Sequence, residues 1–286
     1  MPQQKLELDN DALRGTLERV REEADKARNK LHDARRELSE AEIAFNTLRS
    51  LETEIDRGHL ASALLVLRRS KDYVDRLKRS RNAFAKTLDA LQGALEEEAS
   101  RSASRFGREF PAAARAAGLE IDSTSRHPLY TFKRGFIRLE VDDRRATAKI
   151  TPRDGDTIEV GLDVEVIVER LRKDVDRLFN QPFNAKALLR SVYTAYKAAL
   201  RSEKKREGDE VPLRRLTNRL SKNLNNFAAD EFNVQLSQLV ASGELEIDGR
   251  RLHLNHSRNA RQGMLLYGME DGGYVGFISF KAEDGS

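Results

Sequence analysis

The chain has 286 residues, with 51 Lys and Arg against 47 Asp and Glu and no cysteine. Charged residues make up 34% and hydrophobic residues 39%, and the mean hydropathy is -0.65. The missing cysteine excludes disulfides, thiolate chemistry and Cys-ligated zinc, and no apolar run reaches the roughly eighteen residues of a membrane span.

This length predicts two or three structural units, drawn at residues 1–104, 105–180 and 181–286. The polar balance suits long solvated helices around a narrow seam better than a compact two-layer enzyme. The fold class expected is α+β, mainly helical. The opening segment (Met1-Pro2-Gln3-Gln4-Lys5) has no apolar signal core, so a soluble, cytoplasmic chain is expected.

From Leu13 the apolar positions read Leu13, Leu17, Val20, Ala24, Ala27, Leu31, Ala34, Leu38, Ala41, Phe45 and Leu48. Spacings alternate four and three, the period-3.5 seam of a supercoiled helix. Asp9, Asn10 and Asp11 stand where a cap and first-turn acids belong. The pattern breaks at Asp56-Arg57-Gly58-His59 and resumes with Leu60, Leu64, Leu67, Lys71 and Val74. After a three-residue slip, a stammer, it continues with Leu77, Arg81, Phe84, Leu88, Leu91 and Leu95. Matched arms of about 70 Å around a Gly turn predict a long antiparallel coiled-coil hairpin. The alternative is one straight helix that dimerises in parallel. Lys71 and Arg81 fit snorkelling seam positions.

Residues 99–118 read as a helix broken at Gly107 and Pro111, with Phe106 and Phe110 anchoring it to the domain on its C-terminal side. The period then becomes two over Pro128–Phe132, Phe136–Val141 and Ala146–Ile150, with a fourth strand through Thr157 to Val160. Val164, Ile167, Val168, Leu171, Val175 and Leu178 restore a helical period. A small antiparallel meander with a covering helix is expected. Its aromatics (Tyr130, Phe132, Phe136) alternate with Lys133, Arg134, Arg138 and Lys149, as on single-stranded nucleic-acid platforms. An ordinary sheet with one buried aromatic face accounts for the pattern better.

Phe183 to Arg206 predicts a helix capped by Asn184, followed by helices from Pro212 to Leu224 and from Asp230 to Ser242, the last closed by Gly243. Asp248-Gly249 between two short strands predicts a hairpin. Three helices and a hairpin give the order of a winged helix, in arrangement only. An extra β-hairpin is expected over Met264–Tyr267 and Tyr274–Phe280, turning through Glu270-Asp271-Gly272-Gly273.

Residues 184–224 hold 11 basic and 4 acidic side chains, whereas residues 225–286 hold 5 and 9. Candidate phosphate contacts are Lys197, Arg201, Lys204, Lys205, Arg206, Arg214, Arg215, Arg219 and Lys222, with Arg250 and Arg251, and also Arg258 and Arg261, from the hairpin side. The third helix offers Asn233, Gln235 and Gln238 to base edges, but Asp230 and Glu231 at its start repel phosphate, and protein contact suits it better.

Enzyme motifs are absent: neither a phosphate loop nor a G-x-G-x-x-G occurs. His253 and His256 lack a third ligand, Glu203-x-Lys205 lacks an acidic partner, and Asp154 and Asp156 flank a turn glycine. The sequence therefore predicts a non-catalytic adaptor or structural subunit of a cytosolic assembly, with protein partners, homo-oligomerisation, no cofactor and no membrane. By analogy of architecture, the assembly is one acting on nucleic acid, an ATPase or nuclease in defence or chromosome maintenance. The alternative is a nucleic-acid-binding protein gripping phosphates through the basic helices.

Overall fold

The structure, a computed structural model, describes residues 10–79, 83–223, 227–258, 263–269, 271 and 273–282. The segment Met1–Lys5, Asp9, Arg81, Leu224, Arg261, Glu270 and Gly272, which enter the sequence expectations, lie outside the described residues. The chain is α+β with two small antiparallel sheets. It divides into one unit of residues 1–58 and 66–93 and a second of residues 59–65 and 94–286.

In the first unit, helix α1 (Asn10–Asp56) ends at Gly58, whose φ of 76° gives the left-handed turn that stops it. Helix α3 (Lys71–Arg79) belongs to this unit as well, whereas α2 (Leu60–Arg69) and α4 (Ala83–Ala116) each have residues in both units. Glu40 pairs with Arg76 at 3.0 Å, and the Thr47 and Ser70 hydroxyls lie 3.1 Å apart. The residue numbers fall on α1 as they rise on the returning chain, so α1 and α3 run antiparallel. Lys78 then reaches Asp89 at 2.7 Å and Gln92 at 2.9 Å, tying α3 to the start of α4. Among the described residues the buried α1 side chains are Thr47 and Leu51, which lie beside the sequence-predicted seam rather than on it.

The second unit holds the meander β1 (Leu129–Phe132), β2 (Ile137–Asp142), β3 (Thr147–Pro152) and β4 (Ile158–Gly161), each strand paired to the next. Its aromatic face closes on α4, where the Phe110 ring sits 5.0 Å from Tyr130 and 6.3 Å from Phe132. Contrary to the expected break, α4 runs through Gly107 and Pro111. The helix forgoes the bond that Pro111 cannot donate, and burial of Phe106, Phe110 and Ala114 offsets it. Gly107 leaves room for His127, whose Cγ would lie 3.3 Å from a Cβ there. Helix α5 (Val164–Phe179) covers the meander through Ile167, Leu171 and Leu178.

Helix α6 (Ala185–Glu203) is capped by Asn184, whose side-chain oxygen accepts from the Ala187 N–H at 2.9 Å. Short β5 (Val211–Pro212), α7 (Leu213–Asn223) and α8 (Ala229–Ser242) come after it, then β6 (Glu246–Ile247), β7 (Arg250–Ser257) and β8 (Tyr274–Ala282). Asp248 and Gly249 both take positive φ in the β6–β7 turn, as a two-residue hairpin requires. The sheet order is β5-β8-β7-β6. The extra hairpin therefore reduces to a single bridge, Met264 to Val275, while β8 pairs with β7 along its length. Both edges of β8 are taken by β7 and β5, and its side chains are buried on both faces (Val275, Ile278, Ser279, Phe280). At Gly276 a Cβ would fall 2.3 Å from the Ser257 Cβ, so only glycine fits.

Candidate functional site

Among the candidate cations, most are already engaged within the second unit. Glu203 at the end of α6 takes Lys205 at 3.0 Å and Arg215 at 2.9 Å, the latter without hydrogen-bond geometry. Arg214 donates to the Gly263 carbonyl at 2.9 Å and meets Asp154 at 3.4 Å. Arg250 pairs with Glu207 at 3.0 Å, and Arg251 with Glu246 at 3.3 Å. The same Glu207 accepts from the Tyr193 hydroxyl, and Lys197 lies 4.2 Å over the Tyr193 ring. Burial, then the bond to Glu207, pushes the Tyr193 hydroxyl above its ordinary pKa. Arg219 donates to Ser202 at 3.1 Å. Arg201, Lys204, Arg206 and Lys222 are exposed and make no ion pair among the described residues, and the same holds for Arg258. The candidates left exposed and outside ion pairs thus lie at the end of α6, with Lys222 on α7 and Arg258 after β7; Lys186 and Arg190 near the start of α6 are exposed as well.

The sheet aromatics and the third helix are no freer. Tyr130, Phe132 and Phe136 are buried, so they do not form a stacking platform. Gln235 and Gln238 are half-buried on α8. Asn233 is fully buried, and its amide donates to Asp154 at 2.9 Å and to the Leu265 carbonyl at 3.0 Å. Its oxygen accepts from the Tyr267 N–H at 3.0 Å, so three of its four hydrogen-bonding positions are filled. At the start of α8, Arg177 of α5 bonds Asp230 at 2.5 Å and Glu231 at 2.7 Å. Those carboxylates, Asp230 foremost, raise the guanidinium pKa and hold it charged. Gly155 packs so closely that a Cβ there would lie 2.7 Å from Asp230. A polar cavity of about 390 Å³ opens beside this junction, lined by Asp154, Asp156, Arg170, Asp174, Arg177 and Asp230. Arg170 donates to both Asp174 carboxylate oxygens through Nε and Nη2, each at 3.1 Å, so the charges lining the cavity are largely answered within the protein. Among the described residues no three His, Asp or Glu side chains come together to hold a metal ion. No described helix is long and apolar enough to cross a membrane.

The surface that local sequence patterning assigned to the interior lies on α1. Leu17 (54%), Val20 (59%), Leu31 (53%), Leu38 (61%), Phe45 (62%) and Leu48 (37%) are exposed. The contact with α3 uses Thr47, Ser70, Glu40 and Arg76 instead. Isolated exposed apolar side chains are ordinary, but a continuous apolar stripe on one helix marks an interaction surface. The heptad spacing identified these residues, whereas their exposure is visible only in the folded chain.

No protein-family model matches this chain, and no curated protein and no solved structure matches it.

Proposed function

We propose that this chain is a non-catalytic adaptor or structural subunit of a cytosolic multiprotein assembly, in which α1 is a coiled-coil stalk that engages another protein. The observation that carries this reading is the exposed period-3.5 seam from Leu17 to Leu48, which favours a second helix as its cover. The helices α6 to α8 with the second sheet form a winged-helix-like module that docks a further component. Occupation of α8 by Asp154, Arg177 and the Leu265–Tyr267 segment supports protein contact over base reading. Assemblies acting on nucleic acid, with an ATPase or nuclease as partner in defence or chromosome maintenance, are the class this architecture suits. The test is size fractionation of native extract: the protein is expected in a stoichiometric complex well above its 32.5 kDa, unchanged by nuclease treatment. Elution as a free chain overturns the reading.

A second reading rests on the unpaired Arg201, Lys204 and Arg206 at the end of α6, which suit contact with a phosphate backbone. It predicts saturable binding of labelled DNA whose affinity falls steeply with salt and is lost in the variant R201E/K204E/R206E. Absence of binding at low salt removes it.

A further inference from the structure

One border of the α1 seam is mostly basic. Arg21, Arg28, Arg35 and Arg49 each come directly after a seam residue, with Glu42 as the single acidic interruption of that column. All four arginines are exposed, and none makes an ion pair among the described residues. The opposite border is mixed, with Glu23, Lys30 and Glu37. Flanking columns of this kind set partner choice and orientation in paired helices.

A second copy is the first occupant to weigh. In a parallel pair, each residue on the mixed border meets the residue of the arginine column five positions later on the other strand. Glu23 then faces Arg28 favourably, but Lys30 faces Arg35 and Glu37 faces Glu42. In an antiparallel pair the arginine column faces itself. Either arrangement opposes more like charges than it pairs opposite ones, and like charges across a helix pair are destabilising. An acidic column answers every one of the four arginines, with the bidentate geometry guanidinium groups favour.

We propose that α1 docks a heptad-patterned helix of another protein whose flanking column is acidic, with the apolar seam supplying the contact and the arginine column selecting the partner. This rests on the adaptor reading and names its partner's chemistry. The test uses the full chain and two synthetic five-heptad peptides with leucine at both seam positions. One carries glutamate in both flanking columns and the other lysine. Fluorescence anisotropy is expected to show at least tenfold tighter binding of the glutamate peptide, weakening as salt rises. The variant R21E/R28E/R35E/R49E is expected to reverse that preference. L31D/L38D is expected to abolish binding with an unchanged circular dichroism spectrum, because both sites are exposed.

Equal affinity for the two peptides, or none for the glutamate peptide, overturns the proposal. So does sedimentation showing a dimer that L31D/L38D dissolves, which makes the occupant a second copy. Seam-dependent binding to phosphatidylserine vesicles without peptide binding likewise overturns it in favour of a lipid surface. A native complex that survives L31D/L38D refutes the seam as the docking site while leaving the adaptor reading intact. A free chain in native extract refutes the adaptor reading itself.

Discussion

Replacing Asp163 by alanine tests whether a long-range cap organises the second unit. Asp163 precedes α5 with extended dihedrals (φ -94°, ψ 121°), yet its carboxylate makes no bond to that helix. Both oxygens instead accept from the start of α2: Ala61 N–H at 3.1 Å, Ser62 N–H at 2.7 Å and the Ser62 hydroxyl at 2.7 Å. The first N–H groups of a helix lack internal partners, and negative charge beside them is favourable. Ala61 and Ser62 are buried, which limits how well water can replace the lost acceptor. A cap alone contributes about 0.5–2 kcal/mol, and hydrogen bonds to a charged group about 1.5–3 kcal/mol each, though not additively. A loss of about 3 kcal/mol is therefore expected for Asp163→Ala. For a urea slope of about 1–3 kcal/mol per molar, that lowers the midpoint by about 1 M or more. Asp163→Asn keeps one acceptor oxygen and is expected to lose less. The assay is urea unfolding monitored by circular dichroism, with Ser62→Ala completing a double-mutant cycle. A loss below about 0.5 kcal/mol for Asp163→Ala, or strict additivity with Ser62→Ala, refutes the reasoning.

Gly161, two residues earlier, is expected to reject alanine because its Cβ would fall 2.2 Å from the Ser62 nitrogen; chemical denaturation should show a loss of about 1–3 kcal/mol or more. Arg177→Ala strands Asp230, whose side chain is only 5% exposed, and is expected to cost about 3–5 kcal/mol in the same assay. Tyr196→Phe removes a donor to the Asp209 carbonyl at 2.8 Å and an acceptor for the Gly208 N–H at 3.2 Å, for an expected loss of about 1–3 kcal/mol near neutral pH. Burial first of all raises the Tyr130, Tyr193 and Tyr196 hydroxyls above the ordinary phenol pKa. The native state then holds these protons more tightly, so their stabilisation is intact below about pH 10 and declines as pH rises through the raised native values. Thermal melts from neutral to strongly alkaline pH check this, and Tyr196→Phe is expected to flatten the alkaline decline.

Much of the local architecture was legible because it depends on neighbours in sequence. Period-two alternation with Gly and Asp turns gave β1 to β4, Asn184 marked the start of α6, and Gly243, with φ 71°, closed α8. Pro111 misled because punctuation is a local signal, while the phenylalanines on either side of Gly107 are held by tertiary burial. The terminal strands misled for a related reason: loop proximity suggested that Met264–Tyr267 pairs with Tyr274–Phe280, but β7 offered the longer ladder. Least legible were the polar joints. Asp163 meets Ser62 across 101 positions, and Asn233 meets Asp154 across 79. No periodicity encodes such pairs, and Asp154 and Asp163 look like ordinary turn and cap residues until the elements pack.

These joints also separate the two kinds of charge that the sequence presents together. Arg214, Arg215 and Arg250 answer carboxylates within the second unit, so reversing any of them sets like charges side by side. Such variants are expected to register in folding. Arg21, Arg28, Arg35 and Arg49 of α1 make no ion pair among the described residues, so reversing one breaks no such pair, although Arg21 and Arg28 lie within a helical turn of Asp25. Composition counts both groups alike, so the excess of basic residues at 184–224 does not by itself mark a surface. On α1, arginines outside ion pairs and exposed apolar side chains coincide along one border of one seam.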